Sequence, residues 1–382
     1  MDEDTNILKY MCNTTRDLKN MESPLSHFRF AQFRFDLKAV DCLNLPAYKG
    51  STLRGAFGHA FKKVVCVHPV RKSREASNLA KTILKSDPAV GQRGIISNGV
   101  NRDKICGSCL LKEKCVYSYV FETPPPSDTS KMRKYPFAPH PFVITPPLEE
   151  KRTYQQNDTL CFELTLMGKA IDFLPYFIYT FDELGRIGIG KGRGKYRLEE
   201  VRAITPGEGI KDKVQRQETI YCGQDKILKN TYKMITIENL QPVSLLTLTS
   251  ASTLNLVFLT PTRLKFDGSL SPKPEFHILF RNLLRRISLL SYFHCGEELD
   301  LDFKGLIEKS KEITVQKENL TWFDWERYSN RQETKMKMGG FIGSITFQGN
   351  FQTFLPFVLL GEYVHVGKGT SFGLGKYEIR RT

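Results

Sequence analysis

The sequence predicts an α+β protein that consists of two similar domains in tandem. The first observation is an internal repeat: residues 173–196 and 354–377 align without a gap at an offset of 181 residues, with eight identical positions of 24. The second is that strand and helix patterns follow one another in the same order in both halves. The third is length, since 382 residues suffice for two domains with separate cores. A repeat of this period indicates a duplicated architecture.

In the first half, the patterns predict strand, helix, strands, helix and strand in that order. From Phe28 onward, large apolar residues alternate with polar ones, as they do in a strand. Residues 53–65 carry apolar side chains along one helical face. A proline-rich path follows, and regular structure resumes with a strand at 159–166. The first copy of the repeat then adds an apolar helical stretch, a glycine hairpin and a Tyr-bearing strand.

The second half repeats this order with a strand at 254–259, a helix at 275–294, a strand at 341–347 and the second copy of the repeat. Such an order is typical of the ferredoxin-like βαββαβ unit, which is also the RRM-like fold. A polar connector at about 205–218 is interpreted as the domain boundary. The predicted organisation is an N-terminal lead-in at 1–26, a first domain at 27–220 with a Cys-rich insertion at about 66–150, and a second domain at 221–382.

The composition indicates a folded protein with a polyanionic partner. Hydrophobic residues make up 40% of the chain and aromatic residues 11%, which is more than disordered proteins contain. The formal net charge of +15 favours a polyanion. No apolar run has the length of a membrane-spanning helix, and the acidic start Met1–Asp4 does not resemble a signal peptide. A cytoplasmic protein is therefore expected, with its nine cysteines as thiols.

Glycines alternate with cations in both copies of the repeat. Glycine allows the backbone to approach an anion closely, and successive N–H groups can bind phosphate. The glycines alone would also suit a β-hairpin without a ligand. A Walker loop is excluded because Gly369 stands where Ser or Thr is needed, and a dinucleotide fingerprint because Arg193 stands where glycine is needed. The predicted binding residues are Lys191, Arg193 and Lys195 in the first loop, and Lys368, Thr370, Ser371 and Lys376 in the second.

The cysteines Cys106, Cys109 and Cys115 have the spacing of a metal-binding knuckle. A C-x2-C turn offers two thiolates to one ion. Cys66 is the predicted fourth ligand and His68 the alternative, with zinc favoured over an iron–sulfur cluster. Because four thiolates leave no open coordination position, this zinc would be structural rather than catalytic.

Several segments resemble the RAMP proteins of CRISPR systems. Gly50–Ala56 resembles the G-S-x-L-[RK]-G helix start of that family, and the tail Gly361–Gly375 is similar to that of the endoribonucleases that process CRISPR precursor RNA. Residues 324–329 and the four cysteines of the first domain are similar as well. The resemblance extends over most of the chain from Phe28 onward, and its tail is the most specific part. The second glycine loop is therefore expected to contribute more to binding than the first.

The resemblance implies an endoribonuclease that cuts each repeat of a long transcript and releases guide RNAs. In that family the 2′-hydroxyl of the repeat is the nucleophile, so no catalytic metal is expected, and the products carry a 2′,3′-cyclic phosphate and a 5′-hydroxyl. Repeat RNA and guide RNA are the implied partners, together with subunits of a CRISPR effector complex; neither DNA nor a membrane is implied. The alternatives are a non-catalytic RNA-binding RAMP subunit and a zinc-ribbon nucleic-acid protein outside CRISPR systems.

The predicted catalytic residues lie on or near the first helix. His59 is opposite the apolar face, with Lys62 one turn away and Tyr48 just upstream. Histidine, tyrosine and lysine can transfer protons and stabilise the charged phosphorane without a metal. The glycines Gly55 and Gly58 share the face of His59 and are expected to let the phosphate approach.

Further RNA contacts are predicted outside the glycine loops, at Arg281, Arg285 and Arg327. The aromatic residues around Arg327 (Trp322, Trp325 and Tyr328) would stack on bases or pack internally. His365, which precedes the second glycine loop, is the alternative to His59 as the catalytic histidine.

Overall fold

The computed structural model describes residues 23–67, 106, 109–132, 135–206, 215–240, 252–329 and 334–380. In these ranges the protein is α+β with antiparallel sheets, as predicted. Most of the predicted lead-in and much of the Cys-rich insertion lie outside the described residues. None of the described helices is both long enough and apolar enough to span a membrane.

The described residues of the first half form eight strands and two α-helices. The strands are β1 (Phe30–Ala39), β2 (Leu43–Asn44), β3 (Phe142–Thr145), β4 (Thr153–Tyr154), β5 (Thr159–Met167), β6 (Tyr196–Pro206), β7 (Gln215–Cys222) and β8 (Ile227–Leu228). The helices are α1 (Gly50–Val65) and α2 (Leu174–Ile187), with a π-helical turn at Ser118–Glu122 and a 3-10 turn at Gly168–Phe173. Six strands form one sheet in the order β3-β5-β1-β6-β7-β8, and β2 pairs with β4.

The core of the first half lies between this sheet and its two helices. Because successive strand residues point to opposite faces, Phe33 and Phe35 of β1 face the helices and are fully buried. There Phe57 of α1 stacks on Phe181 of α2 with ring centroids 5.1 Å apart. The charged residues of β1, such as Asp36, point to the other face. The alternation read from the sequence thus sets which side of the sheet receives α1.

In the second half, the part of the chain that the structure describes forms eight strands and three α-helices. The strands are β9 (Ser252–Thr262), β10 (Leu264–Phe266), β11 (Ser269–Ser271), β12 (Thr314–Phe323), β13 (Glu326–Ser329), β14 (Thr334–Lys337), β15 (Gly340–Gly349) and β16 (Tyr377–Arg380). The helices are α3 (Phe276–Leu290), α4 (Phe303–Ser310) and α5 (Leu355–Val364), with 3-10 turns at Ile237–Leu240 and Thr370–Phe372 and a π-helical turn at Ser291–Cys295. Four strands form the sheet β12-β15-β9-β16, while β10–β11 and β13–β14 are separate hairpins.

The two halves arrange their strands alike. In each, the chain runs strand, helix, strand, strand, helix, strand, and the sheet order is second, third, first, fourth. The first sheet continues through β7 and β8 to Leu228, beyond the boundary predicted at residue 220. Its β6 and β7 pair antiparallel, so the polar segment interpreted as a connector instead joins two strands of one sheet.

The halves also pack directly on each other. Phe30 of β1 belongs to the buried cluster of the second half, and its ring centroid lies 4.9 Å from that of Tyr363 on α5. The Lys376 ammonium pairs with the Glu163 carboxylate of β5 at 3.4 Å. These contacts bring the second glycine loop against the first sheet.

Candidate active site

The structure places His59 on the exposed side of α1, but it does not gather the predicted catalytic trio around it. Lys62 is half-buried, and its ammonium lies 5.0 Å from the centre of the Tyr117 ring. Tyr48 precedes the helix start, and at 1.5 Å per residue the helix separates it from His59 by roughly 15 Å. His59 and Lys62 therefore share one region of α1, and Tyr48 belongs to the other end.

The glycine face of α1 is only partly bare. Gly55 is exposed, and a Cβ atom there would meet nothing within 4 Å. Gly58 is buried instead, because the ring of Phe121 covers it: a Cβ atom on Gly58 would lie 2.0 Å from this ring. The π-helical turn that carries Phe121 thus covers part of the face that was expected to receive the phosphate.

Tyr48 connects the start of α1 to the second glycine loop. Its hydroxyl donates to the carbonyl oxygen of Phe372 at 2.8 Å, and its ring centroid lies 4.8 Å from that of Trp325. Burial raises the pKa of Tyr48 well above its ordinary value, so the hydroxyl stays protonated at neutral pH. Gly50 leaves no room for a side chain here, since a Cβ atom would lie 2.0 Å from the Phe372 carbonyl oxygen.

Arg54 forms a second connection between α1 and this loop. Its guanidinium carbon lies 4.1 Å from the ring centre of Phe121 and 4.7 Å from that of Phe372, so aromatic rings from both halves contact it. Its Nη2 lies 3.2 Å from Nε2 of His140. Sequence reasoning did not single out Arg54, although the residue occupies the basic position of the G-S-x-L-[RK]-G segment.

The second glycine loop is largely buried between the halves. A Cβ atom on Gly373 would lie 2.6 Å from the carbonyl oxygen of Ile144 in β3. The hydroxyl of Thr260 donates to the Gly373 carbonyl oxygen at 2.8 Å. Thr370 and Ser371, which were predicted to contact RNA, are buried in this seam, and only Lys368 among the predicted residues of this loop is fully exposed. Their burial does not favour a contact with RNA, and their role in binding stays a prediction.

The first glycine loop has the exposed cations that the sequence predicted. It is a short hairpin closed by the bridge between Ile189 and Gly194. Lys191, Arg193 and Lys195 are all exposed, and no carboxylate in the described part of the chain pairs with their side chains. The hairpin can therefore present three cations to one polyanion.

Two described histidines are buried, His294 and the alternative catalytic candidate His365, and His140 is half-buried. His365 has Nε2 3.3 Å from the Thr145 hydroxyl and Nδ1 3.2 Å from the Leu374 carbonyl oxygen. Burial lowers the pKa of His365 well below its ordinary value. It also lowers the pKa of His140 to about 3 and that of His294 to about 4. Buried imidazoles of this kind are not accessible to an RNA phosphate, whereas His59 is at the surface.

The remaining predicted RNA contacts occupy different surroundings. Arg281 and Arg285 are exposed on α3, each beside an aromatic ring. Lys376 is half-buried in its ion pair with Glu163, which reduces its availability to a phosphate. Arg327 belongs to β13, and its side chain lies outside the described residues.

The predicted zinc site is not supported. The Cys109 amide donates to the Cys106 carbonyl oxygen at 3.4 Å. Cys66, Cys106, Cys109 and Cys115 are nevertheless free thiols, and the described residues contain no group of three or more His, Cys, Asp or Glu side chains that could hold a metal ion. Burial raises the pKa of the Cys106 thiol, which favours the protonated form over the thiolate ligand. His68 lies outside the described residues.

Two family models match the chain. Residues 28–84 and 97–232, just over half of the chain, match AF_1859_N, described as an N-terminal domain. Residues 256–377 match the CRISPR-associated endoribonuclease Cas6. Among curated proteins, none is similar in sequence to this chain.

Solved structures of related architecture carry the same designation. A partial Cas6-RT-Cas1–Cas2 complex is 13% identical with a TM-score of 0.52, over 94% of this chain and 47% of that one. A Cas6 product complex is 15% identical with a TM-score of 0.48, over 92% of this chain and 99% of that one. Thermus thermophilus Cas6 is 15% identical with a TM-score of 0.44, over the same shares. The first of these matches shows a common fold.

Proposed function

We propose that this chain, whose residues 256–377 match the CRISPR-associated endoribonuclease Cas6, cleaves the repeats of CRISPR precursor RNA by a reaction that needs no metal ion. The 2′-hydroxyl of the repeat loses its proton and attacks the adjacent phosphorus. The bond to the 5′-oxygen breaks, and that oxygen takes up a proton. The products carry a 2′,3′-cyclic phosphate and a 5′-hydroxyl, and the released segments are guide RNAs.

The observation that carries this mechanism is the exposure of His59 on α1. Of the other described histidines, His294 and His365 are buried and His140 is half-buried. His277 is also half-buried, 3.1 Å from the Glu275 carboxylate. His27 is exposed but lies outside α1. We assign proton transfer to the imidazole of His59, since a positioned acid or base accelerates such a step. Lys62, one turn further along, is assigned to stabilising the charged phosphorane.

We assign Tyr48 a positioning role instead of a chemical one. Its hydroxyl already donates to the carbonyl oxygen of Phe372. Because its pKa is raised, Tyr48 stays protonated at neutral pH and cannot act as a general base. Together with Arg54, it fixes the start of α1 against the second half. His59 would thereby be held in a constant orientation toward an RNA that contacts both halves.

RNA binding is proposed to rest on exposed cations. Lys191, Arg193 and Lys195 of the first loop and Lys368 of the second would contact phosphates, and release of counterions makes such contacts salt-dependent. We also interpret the two halves as tandem ferredoxin-like domains; the identical strand order in both sheets supports this interpretation. Subunits of a CRISPR complex are proposed as further partners.

The test is cleavage of a repeat-containing RNA in excess EDTA. The parent protein is expected to cut within each repeat and leave a 5′-hydroxyl, which polynucleotide kinase labels without prior phosphatase treatment. His59→Ala should lower the single-turnover rate by about 100-fold or more, with little change in RNA affinity. His27→Ala is the matched control, because this histidine is also exposed but lies outside α1, and it should cleave like the parent.

Normal cleavage by His59→Ala would contradict the assignment of the imidazole. A parent protein that binds repeat RNA tightly but cuts it neither in EDTA nor with Mg²⁺ would contradict the enzymatic function and favour a non-catalytic RNA-binding subunit.

A further inference from the structure

We infer that the seam between the two halves carries a stacking surface for single-stranded RNA, built from Tyr135 of the first half and Arg285 of the second. The Tyr135 side chain is 52% exposed. The guanidinium carbon of Arg285 lies 5.3 Å from the centre of its ring. The identity of the ligand depends on the proposed function: it is the part of the RNA substrate that lies away from the cleaved bond.

The surroundings of this pair repeat the same chemistry. Phe137 follows two residues later and is 45% exposed. One turn back along α3, the Arg281 guanidinium carbon lies 5.5 Å from the centre of the Phe266 ring. No carboxylate in the described ranges forms an ion pair with Arg281 or Arg285. Exposed rings beside unpaired cations suit single-stranded nucleic acid, since bases stack on the rings and phosphates contact the cations.

The ring of Tyr135 is held in place before any RNA arrives. Upstream, the hydroxyl of Thr129 lies 3.2 Å from that of Tyr292, and Lys131 pairs with Glu298. Downstream, His294 donates from Nε2 to the Pro139 carbonyl oxygen at 2.8 Å. The segment is therefore anchored to the second half on both sides of Tyr135. Such preorganisation lowers the entropic cost of binding.

The surface adjoins α1 through continuous contacts. Pro139 is followed by His140, whose Nε2 lies 3.2 Å from Nη2 of Arg54. Arg54 lies on the same helix as His59. One segment of the chain thus carries both Tyr135 and the contact with Arg54 of α1, and we assign to this surface a single-stranded flank of the repeat.

The test uses a short oligouridylate as the probe, with affinity measured by fluorescence anisotropy at several salt concentrations. Loss of one stacked base should weaken binding by about 5- to 100-fold, so Tyr135→Ala is expected to lose affinity in this range with an unchanged salt slope. Tyr135→Phe keeps the ring and should bind like the parent. Arg285→Gln should lower affinity and also reduce the salt slope by about one counterion.

Two controls isolate stacking. Tyr179 on α2 is 54% exposed, and none of the described cations lies over its ring, so Tyr179→Ala should leave probe affinity unchanged. A fully paired RNA of equal length should bind Tyr135→Ala and the parent equally, because its bases are already stacked. Unchanged oligouridylate affinity in Tyr135→Ala, or an equal loss in Tyr179→Ala, would overturn the proposal.

Cleavage of a repeat without flanks separates this inference from the proposed function. Tyr135→Ala should cut the bare repeat like the parent. If the parent itself fails to cut, the proposed function fails, while the anisotropy result still decides whether Tyr135 and Arg285 bind single-stranded RNA. A loss of bare-repeat cleavage in Tyr135→Ala would count against a role confined to the flank.

Discussion

The two glycine loops arise from one repeated segment, yet one is exposed and the other is a joint between the halves. In the first, the amides of Val40 and Asp41 donate to the Lys195 carbonyl oxygen at 2.9 and 3.1 Å. In the second, the amides of Leu259 and Thr260 donate to the Lys376 carbonyl oxygen at 2.9 and 3.4 Å. The C-terminal ends of the two loops therefore make the same hydrogen bonds. The loops differ in where the preceding helix ends.

The second copy of the repeat has a helix that is four residues shorter and a loop that is four residues longer than in the first copy. The α2 helix has 14 residues and α5 has 10, although both begin directly after the repeated phenylalanine. The tyrosine that follows each loop shows the same shift: Tyr196 donates to the Phe181 carbonyl oxygen, and Tyr377 donates to that of Val358, one turn earlier in its helix. The longer second loop can thereby reach β3 and the start of α1. A gapless sequence match has thus produced a binding hairpin in one place and an interdomain contact in the other.

The largest expected effect comes from the matched pair Gly373→Ala and Gly192→Ala, which are equivalent positions of the repeat. Their φ angles are +83° and +85°, so the backbone strain of an alanine is similar in both, about 1–2 kcal/mol. A Cβ atom on Gly192 meets nothing within 4 Å, whereas one on Gly373 would lie 2.4 Å from Cδ of Pro146. Overpacking should add about 1–3 kcal/mol in Gly373→Ala. Urea unfolding of the two variants measures the difference.

Equal losses of stability in these two variants would contradict the view that the second loop is a packed joint. Gly192→Ala serves as the control for strain, because it changes the same dihedral region without a steric partner.

The sequence predicted the elements well but not the environment of the loops. Periodicity identified α1, β5 and α3, because local patterns determine which face of an element is buried. The cations of the first hairpin were identified by their alternation with glycines. Neither pattern could show that the second loop is buried, since Ile144 and Pro146, which pack against Gly373 of this loop, lie more than 200 residues away in the chain. Gly58 was interpreted as bare for the same reason, because Phe121 reaches it through tertiary packing. The zinc site predicted from the cysteine spacing is not supported in the described residues, because convergence of four thiols depends on segments that spacing does not describe.

The second expected effect is a pH dependence of stability to which the second loop contributes and the first loop does not. His365 is the residue that ends α5, at a φ of +61°, and the residue that ends α2 is Gly188, although the gapless alignment pairs Gly188 with Gly369. An unfolded histidine takes up a proton near pH 6.5, whereas the folded pKa of His365 is far lower. Below pH 6.5 the unfolded chain therefore binds the additional proton, and the free energy of unfolding falls as the pH falls. His140 and His294 act in the same direction, down to their pKa values of about 3 and 4.

Replacing His365 by the glycine of the first loop should remove one contribution to this slope. Between pH 6 and 5, the parent should lose about 1.4 kcal/mol per pH unit more than His365→Gly does. The readout is the slope of unfolding free energy against pH, because the variant also loses the contact with Thr145 and starts from a different stability. Equal slopes of unfolding free energy against pH in the parent and in His365→Gly would show that the stability of the second loop does not depend on a neutral imidazole.

The smallest expected effect compares Lys195→Ala with Lys376→Ala, again at equivalent positions. Lys195 is exposed without a described ion pair, whereas the Lys376 side chain is 17% exposed and pairs with Glu163. Lys195→Ala should reduce the slope of log affinity against log salt by about 0.7–0.9, which corresponds to one lost phosphate contact, and Lys376→Ala should leave this slope nearly unchanged. Filter binding of repeat RNA across a salt series measures both. The reverse result would restore the expectation from the sequence, in which the second loop contributes more to binding than the first.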